Sequence, residues 1–300
     1  MDHLLTLQDV PRAWIEALLD RAQAFADGVA VPPALGGVAV CTLFFEPSTR
    51  TRLSFDLAAQ RLGAHVLHFD AASSSTTKGE TAADTFRTIE AMGVRGFVVR
   101  HREDGAVAAL AALAAPGTAL VNAGDGRSAH PTQGLLDMLT IRQATGRAIA
   151  DCRVAIVGDI LHSRVARSDL HALRALGCRD IRACAPASLL PRDATLDGCA
   201  VTQDLDAALD GADVVMTLRL QRERMQDGLV DSLEAYHAGY GITEARLSRA
   251  AAHAVVLHPG PINRGVEISD AVADGPRSRI LAQVRNGVAV RMAVLEALLG

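Results

Sequence analysis

Phe44-Phe45-Glu46-Pro47-Ser48-Thr49-Arg50-Thr51-Arg52 carries an apolar strand into a turn dense in hydroxyls and guanidinium groups, ahead of a helix-compatible stretch. The first N–H groups of a helix have no intrahelical partner and sit at the positive end of its dipole. A turn of this composition therefore suits a phosphate or another dianion. A cap alone would need one small polar residue, for which Ser48 suffices. The crowding of Ser48, Thr49, Arg50 and Thr51 favours the anion site instead.

Other polar clusters stand where apolar runs end. Ser73-Ser74-Ser75-Thr76-Thr77-Lys78-Gly79-Glu80-Thr81 follows one such run, although a hydroxyl-rich loop is most often a solvated linker. Val98-Val99-Arg100-His101 ends another on an arginine, a weak signal alone. Asn122-Ala123-Gly124-Asp125-Gly126 leads to His130-Pro131-Thr132-Gln133, where Pro131 fits a first helical position and His130 a simple cap. In Val154-Ala155-Ile156-Val157-Gly158-Asp159-Ile160-Leu161-His162-Ser163-Arg164 only Gly158 stands in the turn, so the dinucleotide fingerprint is missing. No Gly-x-x-x-x-Gly-Lys-Ser/Thr loop occurs either, which leaves a nucleotide cofactor without support. Thr217-Leu218-Arg219-Leu220-Gln221-Arg222-Glu223-Arg224 has a solvated helix start as its plain reading, which Arg222 and Arg224 suit; His258-Pro259-Gly260-Pro261 reads as a rigid turn.

Taken in order from position 44 to 261, these motifs resemble the aspartate and ornithine carbamoyltransferases across essentially the whole chain. The resemblance implies that Ser48, Thr49, Arg50 and Thr51 bind carbamoyl phosphate with Arg100, His130 and Gln133. Gly260 and Pro261 would contribute through the His-Pro-x-Pro turn, whose carbonyls face the acceptor amine. Glycine at x would keep those backbone contacts while loosening the turn. It also implies a loop reaching a neighbouring subunit's site, with Lys78 as its lysine and Ser74 or Ser75 as its serine. Arg164, Arg219 and Gln221, with Lys78, would hold L-aspartate, since arginine forks onto carboxylates. Arg50, Thr51, Lys78, Arg100 and His130 become the catalytic set, with no metal and no cofactor. The implied reaction gives N-carbamoyl-L-aspartate and phosphate, an early step of de novo pyrimidine synthesis in the cytoplasm. A homotrimer with shared sites is expected. The family also forms larger assemblies with regulatory or dihydroorotase-like chains, and His162–Ser168 resembles the dihydroorotase-associated type more. An ornithine acceptor, a dehydrogenase-like protein and a silent assembly subunit are the rival readings.

The elements that must position these residues are apolar runs alternating with helical stretches. Strands are expected at Val38–Phe45, His65–Phe69, Gly96–Val99, Ala119–Asn122, Arg153–Val157, Ile181–Cys184, Val214–Met216 and Ala254–Leu257. Continuous apolar runs mark strands covered on both faces, and their alternation with helices marks parallel sheets. The fold class is α/β, as two similar domains with parallel sheets of four strands each. The resemblance implies domains of residues 1–131 and 132–282, with the final helix, 283–300, packing back on the first. Pro11 suits the first turn of a helix whose apolar face is Trp14, Leu18, Leu19, Ala22 and Phe25.

The chain has 300 residues, 49% of them hydrophobic, enough for two cores. A formal net charge of −4 argues against nucleic acid or an anionic membrane as the main partner. Neither a leader nor a bilayer-spanning run is evident. The five cysteines include no C-x-x-C pair and read as reduced thiols.

Overall fold

Each unbroken apolar run forms a parallel strand, because burial on both faces removes the need for polar alternation. A computed structural model describes residues 1–29, 33–70, 79–221 and 232–300. The chain divides into two compact units, residues 1–136 with 285–300, and residues 137–284.

The first unit contains α1 (Arg12–Ala26), β1 (Ala39–Phe44), α2 (Thr49–Arg61), β2 (His65–Asp70), α3 (Ala82–Ala91), β3 (Gly96–His101), α4 (Ala106–Ala111), β4 (Ala119–Asp125) and the start of α5 (Pro131–Thr145). Its four-stranded sheet has the order β2-β1-β3-β4. From β1 the chain moves to β2 on one side and then to β3 on the other, so the strand order reverses between β1 and β3. The face of α1 is Ile15, Leu18, Leu19, Ala22 and Phe25; Trp14, expected there, is only half-buried. Ile15 lies three and four residues before Leu18 and Leu19 and takes the centre of the stripe, leaving the amphipathic indole at its edge. Pro11 stands as the N-cap, one residue before the first helical turn.

The second unit contains β5 (Arg153–Val157), α6 (Arg164–Ala175), β6 (Asp180–Cys184), β7 (Ala200–Thr202), α7 (Leu205–Leu209), β8 (Val214–Thr217), α8 (Leu233–Tyr240), α9 (Glu244–Leu247), β9 (Val255–Leu257) and α10 (Asp270–Ala273). The sheet has five strands, not the expected four, in the order β7-β6-β5-β8-β9. The additional strand, β7, is a three-residue edge strand whose Ala200 and Val201 are exposed, so it lacks the apolar signature of its neighbours. Here the order reverses between β5 and β8.

The last helix, α11 (Ile280–Leu299), spans the end of the second unit and the closing segment of the first. Glu296 on α11 accepts both Nε (2.6 Å) and one terminal nitrogen (2.7 Å) of Arg21. The Arg291 guanidinium lies 4.9 Å from the centre of the Phe55 ring. Leu299 packs so closely on β3 that a Cβ on Gly96 would meet its Cδ1 at 2.7 Å. All five cysteines are free thiols. Burial pushes Cys41, Cys178 and Cys184 up to about 12.

Candidate active site

In open parallel sheets, ligands bind beyond the carboxyl ends of the strands, where the strand order reverses. In the first unit that point lies between β1 and β3. The turn 46–51 follows β1, and Arg100, one residue before the end of β3, has its Cα in register with Phe44. The Phe45 N–H donates to the Arg100 carbonyl at 2.8 Å, tying the turn to the strand beside it. The Arg100 guanidinium is buried, donating to Glu46 Oε1 at 2.5 Å and to the Ala123 carbonyl of β4 at 3.1 Å. It is thereby pointed from two directions before any substrate arrives.

Ser48 occupies the N-cap of α2 without capping it: its hydroxyl donates to Thr51 Oγ1 at 2.9 Å, and no side-chain cap bond forms. Ser163 behaves differently at the start of α6, where its Oγ accepts from the Ala166 N–H at 3.1 Å. The contrast favours the anion reading of the 48–51 turn, because its side chain leaves the first N–H groups of α2 uncovered. Thr51 is buried, while Thr49 and Arg50 are exposed. At the end of β4, Asp125 takes part in a short bridge, its N–H donating to the Ala129 carbonyl at 3.2 Å. His130 and Gln133 follow at the start of α5, both buried, and the Gln133 N–H donates to the His130 carbonyl at 2.9 Å. Ser48, Thr49, Arg50, Thr51, Arg100, His130 and Gln133 thus share the carboxyl edge of adjacent strands β1, β3 and β4. Ser74, Ser75, Lys78, Arg222 and Arg224 lie outside the described residues.

In the second unit, Arg164 follows β5 and Arg219 follows β8, one on each side of the reversal. Arg164 is buried as the first residue of α6, and Arg219 is half-buried. Gly158 allows the two strand ends to converge: its φ is +122°, and an added Cβ would stand 2.9 Å from the Leu218 carbonyl oxygen. Asp159, fully buried, joins both turns. Its Oδ1 accepts from the His162 N–H at 3.2 Å and meets His162 Nδ1 at 2.8 Å, while its Oδ2 accepts from the Gln221 N–H at 3.2 Å. The Gln221 side-chain amide donates to the His162 carbonyl at 3.0 Å.

The 258–261 turn follows β9. The Gly260 N–H donates to His258 Nδ1 at 2.8 Å, which fixes the tautomer: Nε2 carries the proton and faces Glu267 Oε1 at 3.1 Å. The same Glu267 oxygen accepts from the Asn263 N–H at 2.6 Å. Gly260 has a φ of +63°, a conformation glycine adopts without a Cβ clash, and the His258 ring pins its N–H. Gly260 and Pro261 belong to the second unit with Arg164, Arg219 and Gln221.

Sequence reasoning missed Glu46, Asp159, His162 and Glu267 as parts of the site. Glu46 and Asp159 each follow a strand and precede an arginine-bearing helix start, a signal that was available. Glu267 meets His258 only through the fold.

Residues 2–143 match the family model for the carbamoyl-P binding domain of aspartate/ornithine carbamoyltransferases, and residues 150–298 match that for the Asp/Orn binding domain. The aspartate carbamoyltransferase catalytic subunit of Xanthomonas oryzae pv. oryzae (strain MAFF 311018) is 68% identical over 302 residues, covering 99% of this chain and 96% of the relative. That of Stenotrophomonas maltophilia (strain R551-3) is 67% identical over 303 residues, with the same coverage of 99% and 96%. Among solved structures, Trypanosoma cruzi aspartate transcarbamoylase in complex with carbamoyl aspartate and phosphate superposes with a TM-score of 0.89 at 34% identity, covering 100% of this chain and 96% of the other. Ornithine carbamoyltransferase from Thermus thermophilus gives a TM-score of 0.89 at 28% identity, covering 100% and 99%.

Proposed function

The chain belongs to the aspartate/ornithine carbamoyltransferase family, and we propose that it transfers the carbamoyl group of carbamoyl phosphate to the amine of L-aspartate, giving N-carbamoyl-L-aspartate and phosphate. The observation that carries the choice of acceptor is the pair Arg164 and Arg219, placed on the two sides of the strand-order reversal in the second unit. Two guanidinium groups there suit a diacid, whereas ornithine has one carboxylate and a distal cation. Ornithine enzymes share the fold to the same TM-score, so the acceptor is read from these side chains and from the 68% relatives.

In the first unit, the open start of α2 with Ser48, Thr49, Arg50 and Thr51 receives the phosphate, and Gln133 serves the carbamoyl nitrogen. The aspartate amine attacks the carbamoyl carbon, a C–N bond forms, and the C–O bond to phosphate then breaks. Arg100, His130 and Thr51 donate to the carbamoyl oxygen as negative charge grows on it. The departing phosphate takes the amine proton. Aspartate is held by Arg164 and Arg219, with Gln221 bracing the loop that carries Arg219 and the carbonyls of the 258–261 turn receiving the amine. The reaction is a step of pyrimidine synthesis in the cytoplasm. Among the described residues no helix is long and apolar enough to cross a membrane.

The working form is a homotrimer in which Lys78 and Ser74 or Ser75 enter the neighbour's site. Leu53 and Leu57, one turn apart on α2 and 60% and 40% exposed, together with Leu67, 45% exposed, support an interface on the first unit. For a larger assembly with dihydroorotase-like or regulatory chains, the resemblance of His162–Ser168 favours the former.

The deciding assay compares carbamoylation of aspartate and of ornithine by the purified chain. Turnover with aspartate alone, inhibited by N-(phosphonacetyl)-L-aspartic acid, is expected; turnover with ornithine, or with neither, overturns the proposal. For the shared site, mixing inactive Lys78→Ala and Arg50→Ala chains should restore part of the activity. Correctly sized hybrids that stay inactive would remove the cross-subunit role of Lys78.

A further inference from the structure

Behind the 258–261 turn runs a buried polar chain that the reaction above does not use. The His258 N–H donates to Gln283 Oε1 at 2.9 Å, and Gln283 Nε2 donates to Asp137 Oδ1 at 2.6 Å. Asp137 on α5 and Asp169 on α6 are each fully buried. Among the described residues, no N–H or hydroxyl donor reaches either oxygen of Asp169. What Asp169 meets is the carboxyl group of Asp137. Two carboxylates in that relation repel, and the contact becomes a hydrogen bond only when one of them is protonated.

We propose that Asp137 and Asp169 share a single proton inside the second unit, held on Asp169, and that this proton ties α6 to α5 and through Gln283 to the 258–261 turn. The donor pattern gives the location. Gln283 offers its N–H to Asp137, so Asp137 is the acceptor and keeps the anionic character, and Asp169 is the acid that donates to it. Burial, then the charge of Asp137 and the bond to it, push the Asp169 carboxyl well above the usual carboxylate range. The charged group bearing on Asp169 is Asp137 from α5. From α11, Gln283 presents its amide to Asp137, and that amide does not titrate.

The sign of the linkage follows. Unfolded Asp169 loses its proton near pH ~3.9, whereas the folded pair retains it. Unfolding between that pH and the raised native value therefore releases a proton, and rising pH favours the unfolded state. Each pH unit in that window lowers the folding equilibrium about tenfold, a drop on the order of 2–4 °C in midpoint.

Asp169→Asn supplies an amide N–H where the proton was, leaving Asp137 ionised and Gln283 in place. Thermal unfolding of the full chain between pH 5 and pH 8, about the window in which other carboxylates are already ionised, should show the midpoint of Asp169→Asn rising above that of wild type. The gap should widen with each pH unit by the amount above. Should that variant fold poorly, the midpoint of wild type alone should still fall across the same window by the amount above. Difference infrared spectroscopy at pH 7–8 should find a protonated-carboxyl carbonyl band in wild type that Asp169→Asn removes. Parallel midpoint curves, or a spectrum with no such band, overturn the shared proton. Neither measurement involves turnover, so the result is independent of the acceptor assignment.

Discussion

Arg100→Ala should lower kcat/KM by roughly 10³–10⁵. Removal of one oxyanion donor costs about 10²–10³ in rate. Loss of a charge-assisted contact to phosphate adds about 1.5–3 kcal/mol, a further tenfold or more. The structure adds a third element: the Glu46 carboxylate, 2.5 Å from the Arg100 guanidinium, would lose that partner beside the anion turn. Adding Glu46→Gln to Arg100→Ala should then recover part of the affinity for carbamoyl phosphate, because it removes repulsion without restoring a donor. Steady-state kinetics on variants with wild-type circular dichroism test this; a loss under tenfold would place Arg100 outside the reacting group.

Arg219→Ala should reduce kcat/KM for aspartate by about 10²–10⁴ while leaving the affinity for carbamoyl phosphate near that of wild type. The estimate takes two charge-assisted bonds to one carboxylate, at about 1.5–3 kcal/mol each. Lysine at 219 should restore little, since an ammonium cannot present two parallel N–H groups. The effect should be confined to the acceptor because Arg219 stands after β8 in the second unit, on the loop whose Gln221 N–H is held by Asp159. Separate titration of each substrate distinguishes this from a general loss of structure. Equal damage to both KM values would contradict the assignment.

Much of the fold was legible because the strands are continuous apolar runs. Arg153–Val157 appears with the bounds read from the sequence, and the final helix, expected at 283–300, runs over Ile280–Leu299. The strand at Ala200–Thr202 was not legible: two of its three residues are exposed, and an edge strand need not be apolar. Ile15 displaced Trp14 from the face of α1 for a reason visible in the spacing once the stripe is centred. At the sites, the residue types that bind anions announce themselves by density, as in Ser48–Arg52. The residues that hold them do not. Glu46 reaches across to β3, Asp159 links the turns after β5 and β8, and Glu267 orders His258 from nine residues away. Their partners are set by strand order, which periodicity does not encode. Asp137 and Asp169 each look, in sequence, like ordinary polar positions on amphipathic helices. Only their common burial makes them a pair.

The first unit opens the chain and also closes it, so the second is an insertion within it. During synthesis residues 137–284 are complete and able to collapse while the first unit still lacks the segment that carries Arg291, Glu296 and Leu299. Closure of the anion-binding half therefore waits for residues 285–300, although its strands emerge first. Removing residues 285–300 would leave the second unit whole and strip the first of the partners of Arg21, Phe55 and Gly96.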